Sequence, residues 1–340
     1  MSLAETVVIM PFYFREDTSP TLRRELMAAA VDELPRYVPP RRWVWVRDGA
    51  PWMAEDLEWL AARVGEATGE LPIRTERDEN QGKGGAVVRG LRRALEAIPE
   101  ARAFAVLDGD GDHSPRDLPE LRDLLATVIA STGNPLVNVV GRRVDRHGCL
   151  GFFRGELEGI TNRVAFACLR YALARRGLAL DETWVAPFGE ADLEAGFRLY
   201  SREAAECVAA AYPRAVADWG ESDLYRWGVE IVPTFEIALA GGVYAEGLRS
   251  TQETQPSSAY LAGVDPAHAY ALEVRWMLRR AEAPVEASLL ILQHALLRSQ
   301  LRHLPEGMEC LLRLEDLVRE GLGSPREQGA PGLASPRRRL

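Results

Sequence analysis

Phe104-Ala-Val-Leu-Asp-Gly-Asp-Gly-Asp-His-Ser-Pro115 is an apolar strand that stops abruptly in three alternating acids. It belongs to a series. Before residue 145 the sequence has strand-like β-branched and aromatic runs at Thr6–Phe12, Trp43–Arg47, Leu71–Thr75, Ala103–Asp108 and Leu136–Gly141. Between them lie helical patterns at Thr21–Leu34, Ala54–Gly65, Gly84–Ile98 and Asp117–Ala130, the first opened by Ser19 as N-cap and Pro20 at N1. This alternation predicts stacked βαβ units, an α/β fold with a mostly parallel sheet flanked by helices. Right-handed crossovers bring the C-terminal strand ends to one edge, where open α/β sheets bind ligands.

Working outward, residues 1–145 read as the main α/β half and 146–250 as an irregular half that completes the sheet and covers the site. That second half holds a helix at Glu156–Arg176, an acidic loop at Asp181–Glu194, a short strand or turn at Phe197–Tyr200 and a further helical stretch. Residues 251–320 read as a C-terminal helical extension. Within it Leu289, Leu290, Leu292, Leu296 and Leu297 give an apolar face for the core or for a homodimer partner. Residues 321–340, rich in Gly, Pro and Ser and ending in Arg337-Arg338-Arg339, read as a disordered tail.

The chain of 340 residues has a net charge of −9 and 47% hydrophobic residues. That balance lacks the basic stripe of a general nucleic-acid binder. The longest apolar stretch near the C-terminal end, Val285–Leu297, is far short of the about 20 residues of a spanning helix, so no transmembrane segment is expected. Met1-Ser2-Leu3-Ala4-Glu5 lacks the features of a secretory signal, which points to the cytoplasm. Cys149, Cys168, Cys207 and Cys310 form no CxxC pair and read as buried small hydrophobes.

Asp108, Asp110 and Asp112 crowd like charges at a strand end, a repulsion that a divalent cation would resolve. The glycine and distal Glu spacing of an EF-hand is missing. A second stretch, Arg77-Asp-Glu-Asn-Gln-Gly-Lys-Gly-Gly-Ala-Val-Val-Arg-Gly-Leu91, is a glycine-rich turn running straight into a helix. Its backbone N–H groups, the helix N-terminus and Lys83 would suit an anion, although neither the P-loop nor the GxGxxG spacing is present.

Together these segments resemble the family 2 nucleotide-sugar glycosyltransferases, especially the polyprenyl-phosphate (dolichyl-phosphate type) mannosyl- and glucosyltransferases, over residues 6–245. Val7-Val-Ile-Met-Pro-Phe-Tyr13 is similar to the family's opening strand, but Phe14-Arg15-Glu16 replaces the usual Asn-Glu continuation. Arg47-Asp48-Gly49-Ala50 stands where the family has Asp-Asp-Gly-Ser, and Asn80-Gln-Gly-Lys-Gly-Gly-Ala86 resembles its Asn-x-Gly-Lys-Gly-Gly-Ala. Asp108-Gly-Asp110 matches the DxD metal signature, trailed by Asp112-His113-Ser114-Pro115. Val139-Val140-Gly141-Arg142-Arg143 is similar to the Gly-Ser-Arg strand end, and Asp192-Leu-Glu-Ala-Gly196-Phe197-Arg198-Leu199-Tyr200 to Asp-x-x-Ser-Gly-Phe-Arg-Leu-Tyr. Trp227-Gly228-Val229-Glu230-Ile231 resembles a segment of the glucosyl-3-phosphoglycerate synthases, which use small soluble acceptors.

The resemblance implies a GT-A (Rossmann-like) fold, and a hexose moved from a nucleotide diphosphate sugar, GDP-mannose or UDP-glucose, to a phosphate- or hydroxyl-bearing acceptor. It implies Mg²⁺ or Mn²⁺ held by Asp108 and Asp110, with His113 as a further candidate. Donor contacts would come from Pro11, Tyr13, Glu16, Asp48, Gln81, Gly82, Lys83, Gly84, Asp108, Gly109 and Arg143. Asp192, then Glu190, would take the proton of a hydroxyl acceptor, and Arg198 and Glu230 would bind the acceptor. A polyprenyl-phosphate acceptor would place the protein at the inner membrane face, and a phosphorylated small acid would not. The rivals are a nucleotidyltransferase, whose glycine-rich signature after strand one is replaced by Pro11-Phe12-Tyr13-Phe14, and a nucleotide-sugar binder without turnover.

Overall fold

The computed structural model describes residues 3–185, 191–250 and 265–323. It divides into two compact units, Met1–Val144 with Asp181–Ala259, and Asp145–Leu180 with Tyr260–Leu340.

The first unit is an α/β domain around a seven-stranded sheet. Its strands are β1 (Thr6–Phe12), β2 (Trp43–Asp48), β3 (Ile73–Arg77), β4 (Ala103–Val106), β5 (Val137–Arg142), β6 (Arg198–Ser201) and β7 (Val243–Leu248). The sheet order is β3-β2-β1-β4-β6-β5-β7, and only β6 runs antiparallel to its neighbours. The mostly parallel α/β architecture expected from the sequence is therefore present. Its helices are α1 (Pro20–Val31), α2 (Ala54–Thr68), α3 (Lys83–Ala97) and α4 (Leu118–Thr132), followed, after the second unit's α5 (Arg146–Leu150) and α6 (Phe152–Ala174), by α7 (Arg202–Trp219), α8 (Leu224–Trp227) and α9 (Ile231–Leu239). The Ser19 hydroxyl accepts from Leu22 N–H at 3.3 Å, capping α1 with Pro20 at N1 as the sequence predicts.

Val7, Val8, Ile9 and Met10 on β1 and Trp43 and Val44 on β2 are fully buried, as expected of central parallel strands covered on both faces. Helix α3 lies close on β1: a methyl group at Gly90 would come within 2.3 Å of Ile9 Cγ2. The expected strand at Leu71–Thr75 sits two residues later, and β4 ends before Leu107 rather than at Asp108. Leu107 N–H and Gly109 N–H still donate to the carbonyls of Ile9 and Pro11 on β1, so the acid-bearing loop is anchored beyond the strand's end. The sequence missed β7. Its Gly241-Gly242 turn and its Val-Tyr-Ala run are strand signals, hidden beside the strongly apolar α9.

The second unit is helical: α5 and α6 with α10 (Pro266–Arg280), α11 (Val285–Leu297) and α12 (Pro305–Gly321). Helix α6 packs on α10 and α11, so residues 145–180 group with the C-terminal helices rather than with the rest of the 146–250 stretch. The cause is the width of its apolar surface, with Leu157, Ile160, Val164, Cys168 and Leu169 all buried. On α11, Leu292 and Leu296 face inward while Leu290 and Leu297 are exposed. The expected tail lies outside the described residues from 324 onward. No helix among the described residues is long and apolar enough to cross a membrane.

Candidate active site

From β1 the chain steps outward to β2 and β3, then returns to place β4 on the other side of β1. The C-terminal ends of β1 and β4 thus flank a switch point, the place where open α/β sheets form their binding crevice. The Asp108-Gly-Asp110 loop follows β4 there, with Pro11 and Tyr13 at the end of β1. Gly109 has a packing reason to be glycine: a methyl group on it would lie 2.4 Å from a Phe12 ring carbon and 2.8 Å from the Pro11 carbonyl oxygen.

Lys83 opens α3 and reaches across to this loop. Its Nζ lies 2.9 Å from Asp108 Oδ2 and 3.1 Å from Glu230 Oε1, the latter immediately before α9. Burial alone would lower the lysine's pKa, but Asp108 and Glu230 outweigh it and hold the ammonium above its ordinary value. Burial would raise the Asp108 carboxyl, yet the Lys83 ammonium beside it keeps it below its usual range. Asp110 goes the other way. Burial and the neighbouring Asp108 charge push it up to about 6, so the loop is short of positive charge even with Lys83 in place.

Lys83 is also the only lysine in the chain; the other 40 of the 41 basic residues are arginines. The backbone of Gly196 closes the pocket around its tip. A methyl group there would lie 2.8 Å from Lys83 Nζ, 3.2 Å from His113 Cε1 and 3.4 Å from Asp108 Oδ2. This gives the two glycines different expected phenotypes. Gly109→Ala meets a ring and a backbone oxygen that cannot yield, and should cost about 1–3 kcal/mol of stability. Gly196→Ala meets the end of a flexible side chain, and should displace Lys83 with little change in the thermal midpoint. Thermal denaturation beside a ligand-binding assay on both variants checks the contrast; equal losses of stability would contradict it.

His113 is placed at the site but not as a simple ligand. Its Nδ1 accepts from the Asp108 backbone N–H at 3.0 Å, and its ring stacks on Phe197 with centroids 5.1 Å apart. Burial, with Arg249, Lys83 and Arg143 nearby, lowers its pKa to about 3. The ring is therefore neutral, and an accepting Nδ1 assigns the proton to Nε2. That tautomer presents an N–H, not a lone pair, so the ligand role expected for His113 does not fit its hydrogen bonding. Among the described residues no three His, Cys, Asp or Glu side chains are arranged to hold a metal ion. Two carboxylates remain, Asp108 and Asp110. Their hard oxygen donors fit a divalent cation that would fill its remaining positions with water or with oxygens of a bound molecule.

The glycine-rich turn is arranged differently from the anion cradle expected. Asp48, at the end of β2, accepts from Gln81 N–H and Gly82 N–H, both at 2.8 Å, and Asn80 Nδ2 donates to the Asp48 carbonyl at 3.1 Å. Two of the turn's amides, those of Gln81 and Gly82, are thus engaged by a carboxylate of the chain itself. Burial raises that carboxyl above its ordinary value, with the two amide bonds opposing. Gly84 serves close packing, since a methyl group there would lie 2.3 Å from Tyr212 Oη. Tyr13 is 43% exposed and meets Trp52 edge-on at 6.4 Å, and Glu16 is exposed on the loop after β1.

The two arginines expected to contact phosphates are both buried and paired. Arg143, just past β5, binds Asp192 through Nε at 2.8 Å, Nη2 at 2.5 Å and its backbone N–H at 3.0 Å. Asp192 N–H in turn donates to Glu246 Oε1 at 2.6 Å, which also accepts from Tyr244 Oη at 2.6 Å. Arg198 on β6 donates to Thr234 Oγ1 at 2.7 Å and to the Leu193 carbonyl. Its guanidinium thereby ties β6 to α9 and to the 191–197 segment. Glu190 lies outside the described residues. Sequence reasoning missed Arg249, just past β7, whose charge acts on both Asp108 and His113. It also missed Glu246, Tyr244 and Thr234, because β7 and its partners carried no motif.

No protein-family model matches the chain, and no curated protein matches it. Among solved structures it is similar to the mannosyltransferase PcManGT from Pyrobaculum calidifontis in complex with GDP-Man and Mn²⁺, at 16% sequence identity and a TM-score of 0.46, over 96% of this chain and 77% of that one.

Proposed function

We propose that this chain is a metal-dependent glycosyltransferase that moves a hexose from a nucleotide diphosphate sugar to a phosphate- or hydroxyl-bearing acceptor. The observation that carries this reading is the meeting of Asp108, Asp110 and Lys83 at the switch point of the sheet. Breaking a glycosidic bond to a nucleoside diphosphate develops negative charge on the leaving phosphate, and a site for it must present fixed positive charge. Asp108 and Asp110 would hold Mg²⁺ or Mn²⁺, which when bound supplies Lewis-acid neutralisation of the diphosphate. Lys83 adds a charge in contact with two carboxylates, Asp108 and Glu230. Tyr13, 43% exposed and edge-on to the half-buried Trp52, offers ring surface beside the same strand end.

The acceptor reading turns on Asp192. A carboxylate whose oxygens are taken up by three hydrogen bonds from one arginine is poorly placed to receive a proton from an acceptor. An acceptor that arrives already ionised, a phosphate, needs no base and fits this arrangement better than a hydroxyl. A small phosphorylated acid and a polyprenyl phosphate share that chemistry. GDP-mannose and UDP-glucose are the donors to try first.

The test is thermal stabilisation by UDP-glucose, GDP-mannose, UDP-GlcNAc and the matching diphosphates, with and without Mn²⁺, on wild type and Asp110→Ala. A true donor at a hundredfold excess over Kd adds about 2.7 kcal/mol. The expected result is a Mn²⁺-dependent shift by one donor that is absent in Asp110→Ala. Silence with every nucleotide would sink the proposal. Release of nucleoside diphosphate from the stabilising donor separates a transferase from a binder without turnover.

A further inference from the structure

We infer that Glu230 sets the strength of cation binding at Asp108 and Asp110 without touching the cation, by receiving the Lys83 ammonium when the cation claims Asp108. The inference rests on the metal-site reading above. Lys83 Nζ stands between two carboxylates, 2.9 Å from Asp108 Oδ2 and 3.1 Å from Glu230 Oε1. Both acids are largely shielded, with side-chain exposures of 18% and 15%. An ammonium and a divalent ion repel each other when they share one carboxylate, so cation entry must weaken the Lys83–Asp108 pair. In a shielded site an ammonium left without a partner is costly. Glu230 removes that cost because it is already in contact.

The frame around Glu230 supports such an exchange. Its carbonyl accepts from Thr234 Oγ1 at 3.2 Å, and that hydroxyl oxygen accepts from Arg198 Nη1 at 2.7 Å and from Asn138 Nδ2 at 3.2 Å. Arg198 is itself fixed on β6 and by the Leu193 carbonyl. On the other side, Gly84 presses the start of α3 against Tyr212 and the Tyr225 carbonyl. With both backbones fixed, a rotation of the Lys83 side chain is enough to move weight from one carboxylate to the other. This makes Glu230 a positioning residue, in place of the acceptor contact implied by the resemblance.

The experiment measures Mn²⁺ binding to the full chain, with the metal alone and no nucleotide, from the loss of the free-ion EPR signal. Four proteins form a cycle: wild type, Glu230→Gln, Lys83→Met and the double variant, each checked for folding by circular dichroism. Glu230→Gln should weaken Mn²⁺ binding about tenfold in the presence of Lys83, and less than about threefold in Lys83→Met, where there is no ammonium to receive. Equal weakening in both backgrounds would mean a plain field effect and overturn the inference, as would no weakening in either. If Glu230→Gln does not fold, Glu230→Asp carries the same cycle, its shorter reach weakening Mn²⁺ binding only when Lys83 is present. Wild type that binds no Mn²⁺ would overturn the cation site itself and the inference with it, a result distinct from a Glu230 that makes no difference.

Discussion

Replacing Arg143 by alanine should cost about 3–5 kcal/mol of stability, because it strands a carboxylate in the interior. The two side chains are 6% and 3% exposed, so solvent does little to screen them. The pair is also not isolated. Asp192 accepts from three Arg143 donors, while its own N–H holds Glu246, and Glu246 holds the Tyr244 hydroxyl. Burial, with Glu246 next in effect, keeps that hydroxyl well above its ordinary pKa, so it stays a donor. The network ties the start of the 191–197 segment to β5 and β7, and the same segment carries Gly196 to the tip of Lys83. Arg143→Ala therefore frees the backbone that walls the site as well as leaving a charge unpaired. In a domain of this size each kcal/mol moves the thermal midpoint roughly 2–4 °C, so a drop of roughly 6–20 °C is expected. Asp192→Asn, which keeps the shape but loses the charge, should cost less. A paired replacement, Arg143→Met with Asp192→Leu, should recover much of the loss, since well-packed apolar groups often match a buried ion pair. A midpoint for Arg143→Ala within about 2 °C of wild type would show that the pair is not a structural element.

The contrast between what this network does and what its residues suggested shows where the sequence is legible. Strand and helix order came through because apolar periodicity is local: Val7–Met10, Trp43–Val46 and the Ser19-Pro20 start each announce themselves within a few residues. The gathering of Lys83 and Asp108 at one edge also followed, since parallel crossovers bring β4 and the start of α3 to the same end of the sheet. What did not follow was the pairing of charges. Whether Arg143 faces an open crevice or Asp192 depends on a contact across 49 positions of sequence, and nothing in either segment specifies it. The same holds for Asp48, whose carboxylate turns back onto the glycine-rich turn 33 and 34 positions away. Glycine gives a weaker warning still. Gly196 looks like one member of a motif, yet its distance from Lys83 is what gives it meaning.

That distance leads to the largest functional effect. Under the proposed function, Lys83→Met should lower the rate of nucleoside diphosphate release by about 10²–10³-fold, the range typical for removing one preorganised donor from a developing oxyanion. Lys83→Arg should recover little of it. An ammonium is compact and points three donors in different directions, which suits a position between Asp108 and Glu230; a guanidinium is planar and broader. The wall formed by Gly196 leaves no room for that breadth, since even a methyl group there would lie 2.8 Å from Nζ. The composition points the same way. A chain that supplies 40 of its 41 cationic side chains as arginine supplies this one as lysine, and it is the one held between two shielded carboxylates beside the switch point. If charge alone mattered, arginine would serve. Turnover in Lys83→Arg within threefold of wild type would therefore refute the fit argument, while loss in Lys83→Arg equal to that in Lys83→Met, with both variants folded and their thermal midpoints retained, would establish that the site selects shape as well as charge.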